Sequence, residues 1–305
     1  MTDNLEDLKR LDLPFDINKV DPQCHECIRA QLKKYEKFVD KEGKVAAGKF
    51  TVSCTGIALD PIDPTTKAKL TEEQLQFVLS MKDPVVFAKN YIIDEKKEPW
   101  IARPHQEKIL RCTSKQKVLR LARRLGKTES TVVDIIYHAF TNTGLRILVL
   151  GPQKTHAQEI FNRVKERLYA NPFLAQSVLS DVSSPHPKIV LKNGSEIRGF
   201  AGGSKGKSDG LSVRGQDGDR IYVDELAYVD EGAIQGAIMP ILYTNANAAL
   251  IGFSTPSPFK NTFYKLCKEN PAYKEFHYTY KALDWWDLIE RDRNNYTDEQ
   301  WNNEF

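Results

Sequence analysis

Four residues of this chain, Lys127, Thr128, Asp224 and Glu225, have the types and spacing to do chemistry together. Lys127 and Thr128 close the run Arg123-Arg124-Leu125-Gly126-Lys127-Thr128. A lysine behind a tight glycine turn can reach the β- and γ-phosphates of a nucleotide, and the next hydroxyl can ligate Mg²⁺. Asp224 can hold the same Mg²⁺ shell from the opposite side. Glu225 beside it is placed to orient and deprotonate an attacking water. Hydrolysis of a Mg²⁺-bound nucleoside triphosphate is the chemistry this set predicts.

Such residues work only if the chain positions them, and the flanking sequence supplies the means. Val118 to Ala122 reads as a short strand, and Val132, Val133, Ile135, Ile136 and Phe140 recur at helical spacing. Strand, loop and helix in that order converge backbone N–H groups and the positive helix end on an anion. Leu121 stands where a phosphate loop usually has its first glycine. Arg220 to Val223 is a second apolar strand, delivering Asp224 and Glu225 at its end. Arg146 to Pro152 reads as a third, leading into a helix over 153–168 with the stripe Ile160, Phe161, Val164 and Leu168. Ala248 to Phe253 is a fourth and ends in Ser254-Thr255-Pro256. Ala201 to Ser208 also comes close to a phosphate loop, and contains a formal G-x-S-x-G. Asp209-Gly210 comes next instead of a helix, so a Gly/Ser/Lys loop is the better account.

These strands and helices predict an α/β fold: a P-loop NTPase with a mostly parallel sheet flanked by helices, nucleotide at the strand C-termini. A strand between the two motifs in sequence, with a glutamate beside the metal aspartate, resembles the additional-strand catalytic-glutamate (ASCE) branch. A hydroxyl pair at a strand's C-terminal end lies where ligands bind in open α/β sheets and could sense the γ-phosphate. Arg103-Pro104-His105-Gln106 precedes the first strand, and the Gln106 amide could read an adenine edge. Ser212-Val213-Arg214-Gly215 lies shortly before Asp224.

Taken in order, these motifs resemble the ATPase domain of the large terminase subunit of tailed double-stranded DNA bacteriophages, over residues 85 to 305. That family commonly carries arginine in place of phosphate-loop glycines, which fits Arg123-Arg124-Leu125-Gly126 and Leu121. The resemblance implies ATP and Mg²⁺ as ligands and Arg123 as a γ-phosphate contact. It implies Arg214 as a finger inserted by a neighbouring subunit, and Ser254-Thr255-Pro256 as the coupling motif. Arg124 could equally be a surface or DNA-facing charge, and Arg214 could staple its Gly-rich loop. Implied partners are double-stranded DNA, further copies in a homo-oligomeric ring, the portal protein and the small terminase subunit. The implied location is the host cytoplasm, transiently on the procapsid.

Composition is permissive. A net charge of +3 in 305 residues suits a motor with local phosphate contacts better than a protein that wraps duplex. No apolar run approaches a membrane span, and MTDNLEDLKR lacks a signal-peptide core, so no membrane partner is expected. Residues 1–83 read as an arm and mainly helical extension. Cys24, Cys27 and Cys54 could begin a zinc site, but a structural site wants four ligands, and unpaired thiols account for them better. Residues 71–93 predict a helix opened by a capping-box-like Thr71 to Gln74, broken before Pro84, and a second short helix. Tyr91 or Trp100 could lie near the adenine, although an aromatic there is more often core.

The ATPase core is expected over 84–282, with a helix over 262–269 and a strand over 275–280. Residues 283–305 are expected as a linker with a final helix from Thr297. In the family a nuclease domain comes next, and its acidic cluster would lie beyond Phe305; Asp284, Asp287 and Asp292 lack the strands it needs. A superfamily-2-like helicase or translocase shares several of these motifs. It needs a second RecA-like domain, and about fifty residues after Pro256 are too few for one.

Overall fold

The computed structural model describes residues 72–183, 187–201, 213–257 and 259–304. Its elements begin with α1 (Glu72–Lys82), α2 (Pro84–Tyr91), α3 (Pro104–Leu110), β1 (Gln116–Leu121) and α4 (Lys127–Thr141). Next come β2 (Arg146–Gly151), α5 (Lys154–Ala170), β3 (Val178–Val182), β4 (Lys188–Leu191), β5 (Glu196–Ala201) and β6 (Arg220–Asp224). The last are α6 (Met239–Thr244), β7 (Ala249–Ser254), α7 (Thr262–Lys268), β8 (Lys274–Tyr278), α8 (Trp286–Arg291) and α9 (Asp298–Glu304). From Val78 onward they belong to one compact unit. Residues 1–71, with Cys24, Cys27, Cys54 and the cap residue Thr71, lie outside the described residues, as does the loop 202–212.

The sheet has eight strands in the order β3-β4-β5-β2-β6-β7-β1-β8. Neighbours from β5 through to β8 are parallel, and β3 and β4 join them antiparallel at one edge. The central strands are buried on both faces, as a parallel sheet between helix layers must be; β7 buries all 6 of its residues. The strand separating β1 from β6 in space is β7, which comes after both in sequence, while β2 lies on the far side of β6. Arg120 is thereby in register with Ser254, and Asp224 with Phe253. The phosphate loop, the acidic pair and the hydroxyl motif open together along one edge of the sheet.

Val118, Leu148, Leu150, Ile221, Val223 and Leu250 form one apolar face and pack against the segment 226–241 and against Phe263 and Leu266 of α7. Gly252 lets Leu226 pack closely there, because a Cβ would come within 2.3 Å of Leu226 Cδ2 and force that side chain to move. Within 231–244 the stretch Ile234–Ile238 takes π-helical geometry, a local widening often found at functional sites. Helix α5 covers β2 and β5 and packs against α4. After β8 the chain folds back on the domain: Leu283 is 2% and Trp301 7% exposed, and Trp301 meets Tyr280 edge-on. Thr297 and Gln300 cap α9 reciprocally.

Beneath α4 lies a charged cluster that apolar patterning does not reveal. Asp134 accepts from Arg220 at 2.9 Å and from the Tyr222 hydroxyl at 2.6 Å. His138 Nε2 lies 3.5 Å from it. Lys117, 1% exposed, donates to the carbonyls of Ile109 and Cys112. Burial alone would raise the Asp134 carboxyl, but Lys117, Arg220 and His138 hold it well below its ordinary value. Asp134→Ala leaves Arg220 buried without its counter-charge, so a loss of about 3–5 kcal/mol is expected in urea denaturation at pH 7. A carboxylate depressed on folding stabilises above its unfolded pKa and loses that contribution as pH falls through the folded value. The gap between wild type and variant should therefore narrow only below about pH 4.

Candidate active site

The turn from β1 into α4 is built by two residues at positive φ. Arg124 has φ 67° and Gly126, the residue before α4, has φ 75°. Arg123 and Arg124 are exposed and Leu125 is buried, which anchors the loop against the core. Lys127 Nζ rests on the carbonyls of Leu121 and Ala122, at 3.0 and 3.3 Å. Thr128 stands half-buried on the first turn of α4.

Helix α3 ties this loop down. His105 Nε2 donates to the Leu125 carbonyl at 2.9 Å, and since a carbonyl only accepts, that nitrogen carries the proton. Burial holds His105 below its ordinary value, against the pull of the Leu125 carbonyl. Gln106, 4% exposed, has both ends of its amide engaged by protein: Nε2 donates to the Gly126 carbonyl at 3.3 Å and Oε1 accepts from Arg103 N at 2.9 Å. The sequence suggested an adenine-reading amide; in this ligand-free structure the amide bridges the loop carbonyl of Gly126 and the backbone N–H of Arg103. Trp100 is 7% exposed and belongs to the core, while Tyr91 is half-buried and packs with Phe87 and Phe173.

Across β7 stands the acidic pair. Glu225 has φ 43°, a left-handed backbone costing about 1–2 kcal/mol that persists only where the surroundings impose it. Its Oε2 accepts from Ser254 Oγ at 2.8 Å, Thr255 N at 3.4 Å and Thr255 Oγ1 at 3.5 Å. The hydroxyl motif thus touches the predicted water-activating carboxylate directly. Asp224 is 14% exposed in its side chain, and its Oδ1 accepts from Glu225 N at 2.9 Å. Burial first, and then the Glu225 charge, push its carboxyl up to about 6, against His156 and Lys127. A raised carboxyl means that the ionised form weakens the fold above that pH and not below the unfolded pKa. Asp224→Asn is therefore expected to stabilise the ligand-free protein at pH 8 by about 1–3 kcal/mol, seen as a higher Tm by calorimetry, with little gain at pH 4.

His156, which the sequence did not single out, sits with Nδ1 3.6 Å from Asp224 Oδ2. Gly151 makes this approach possible, since a Cβ there would lie 2.5 Å from His156 Cβ. Only that strand-end glycine hinted at a close neighbour. Arg214 lies elsewhere. It is exposed, its Nη2 lies over Gly236, 3.1 Å from where a Cβ would be, and it makes no hydrogen bond or ion pair among the described residues. Its segment lies along the β5–β2 flank, where Arg198 donates to Gln216 and Gly218 meets Leu148. Strands β6 and β7 stand between that flank and β1.

A phosphate loop after β1 and an Asp-Glu pair after β6, with one strand inserted between them, define a P-loop NTPase of the additional-strand type. The family model "Terminase large subunit, T4likevirus-type, N-terminal" matches residues 118–305, and the chain belongs to that family. The terminase large subunit of Thermus virus P23-45 is 32% identical over 181 residues, covering 53% of this chain and 36% of that protein. The chain thus aligns with little more than a third of that relative's length. Among solved structures, the large terminase ATPase domain of Thermus phage P74-26 superposes with TM-score 0.54 at 23% identity, over 68% of this chain and 93% of that one. The HK97 bacteriophage large terminase gives TM-score 0.52 at 16% identity, over 73% and 55% of the two chains. These likenesses are of fold. Among the described residues no helix is long and apolar enough to cross a membrane.

Proposed function

We propose that this chain is the ATP-hydrolysing motor of a viral large terminase, driving double-stranded DNA into a procapsid. The observation that carries the reading is the hydrogen bond from Ser254 to Glu225, which joins a predicted water-activating carboxylate to a strand that runs through the centre of the sheet.

The donors suit Mg²⁺. A hydroxyl and a carboxylate are hard oxygen ligands, and a site with two of them leaves the remaining positions to phosphate oxygens and water, as this ion prefers. The raised Asp224 carboxyl marks a buried charge in need of a cation. Thr128 and Asp224 would hold the ion, which when bound draws charge from the β- and γ-phosphate oxygens.

The N–H groups of 123–128 and the start of α4 would cradle the phosphates. Lys127 would leave the carbonyls of Leu121 and Ala122 for the β- and γ-phosphates. Glu225 would take a proton from the water attacking the γ-phosphorus, and ADP would depart. Arg123 within the subunit and Arg214 from a neighbour would stabilise the charge on the transferred group. As the proton and then phosphate leave, the bonds from Ser254 and Thr255 to Glu225 would change, moving Pro256 and the chain after it.

Partners in this reading are double-stranded DNA, a ring of further copies, the portal protein and the small terminase subunit, in the host cytoplasm and on the procapsid. The longer relatives make a DNA-cleaving nuclease in the parent protein part of the same proposal. Phosphate release from Mg-ATP, measured against protein concentration, tests the reading. Turnover that rises faster than linearly supports it. Failure to bind a fluorescent ATP analogue at millimolar concentration would overturn it.

A further inference from the structure

A phosphate loop can cradle an anion only if its peptide N–H groups face inward, which obliges its carbonyls to turn away and find donors. In this chain three successive carbonyls find theirs on one short run of sequence. Arg103 Nη1 donates to Arg124 O at 3.2 Å, His105 Nε2 to Leu125 O at 2.9 Å and Gln106 Nε2 to Gly126 O at 3.3 Å. The His105 bond is the enclosed one, with His105 4% and Leu125 0% exposed. A loop with a single glycine, and with Arg124 at positive φ, has reason to need this outside support.

The donors are themselves held from the far end of the domain. The Arg103 guanidinium lies over the Trp285 ring, 4.9 Å from its centroid, and the His105 ring lies 5.4 Å from that of Tyr278. Tyr278 ends β8, and its carbonyl accepts from Ala122 N, where the loop begins. Trp285 comes shortly after and is 39% exposed. The segment leaving β8 therefore reaches the loop at its start through the backbone and at its middle through Arg103.

We propose that Arg103 and His105 are positioning residues for the phosphate loop, and that Trp285, stacked on Arg103, makes nucleotide affinity depend on the chain beyond β8. This rests on the nucleotide-binding reading above. Any force that draws the 283–291 segment off the domain would release Arg103, free the Arg124 carbonyl to rotate, and loosen the phosphate cradle. Nucleotide occupancy would in this way answer to whatever the C-terminal chain is attached to.

Titration of mant-ADP with Mg²⁺ into the full chain, beside steady-state turnover, tests this. Binding by wild type tests the nucleotide reading; differences among variants test the latch. His105→Ala should raise the Kd about tenfold and KM in parallel, with kcat at saturation changed less than about threefold. His105→Gln, whose amide nitrogen can reach the Leu125 carbonyl, should recover most of the affinity, which a purely space-filling role would not allow. Trp285→Ala and Arg103→Ala should each raise the Kd about threefold or more, and the double variant should be no worse than Arg103→Ala alone. Additive effects in that cycle, or an unchanged Kd in Trp285→Ala, would overturn the latch. An unchanged Kd in His105→Ala would overturn the positioning role.

Discussion

Glu225→Gln is expected to lower ATP turnover by about 10²–10⁴-fold, the range for loss of a positioned general base. Glutamine has the same shape, so the left-handed turn and the Asp224–Glu225 backbone bond survive. What disappears is a carboxylate able to accept the proton of the attacking water. Binding should respond in the opposite sense. The Glu225 charge helps push the Asp224 carboxyl up to about 6, so a neutral residue 225 lets Asp224 ionise more easily and hold its cation better. Mg-nucleotide affinity should stay level or tighten while turnover collapses. Titration of a fluorescent ATP analogue, beside a phosphate-release assay, separates the two effects. Turnover within about tenfold of wild type would remove Glu225 from the mechanism.

The elements that carry the candidate site were legible because each is a local pattern. Strand, Gly126-Lys127-Thr128 and helix are contiguous, and so are an apolar strand and the acids at its end. The stripe Ile160, Phe161, Val164 and Leu168 is buried as its period requires. The strand before Ser254 is also contiguous. Its place between β1 and β6 is a matter of sheet order, which no stretch of sequence encodes by itself.

Other features were hidden for identifiable reasons. Strands β3, β4 and β5 are short and carry charges such as Asp181, Lys188, Glu196 and Arg198, so neither alternation nor an apolar run announces them. The helical run over 231–244 contains Gly232, Gly236 and Pro240, ordinarily signs of its interruption. Lys117 and Arg220 look like solvated strand starts, but they face Asp134 across the layer between sheet and helix. Arg103, His105 and His156 act on groups distant in sequence, and no local period marks such contacts. Gln106 shows the limit from the other side. Its bond to the Gly126 carbonyl depends on how α3 folds against the loop, which no local pattern encodes.

Arg214→Ala is expected to abolish the concentration-dependent part of ATP turnover, a loss of about 10³-fold or more if the guanidinium acts as an arginine finger. The basal rate of dilute protein should not change. Arg214 is exposed and lies over Gly236, without a hydrogen bond or ion pair among the described residues, so its charge is offered outward. Stabilisation of the transferred phosphoryl would then come from the next copy in a heterologous, ring-forming contact. That arrangement permits a sharper experiment than loss of activity. Subunits carrying Arg214→Ala keep Glu225, and subunits carrying Glu225→Gln keep Arg214, so each lacks what the other supplies. Neither shows the concentration-dependent turnover when assembled alone. Mixed in equal amounts, about a quarter of the sites pair an intact Glu225 with a neighbour's intact Arg214 if assembly is random, and turnover should return to that fraction of wild type. If Arg214 served its own site, both defects would stay with their subunits and the mixture would remain as inactive as its parts.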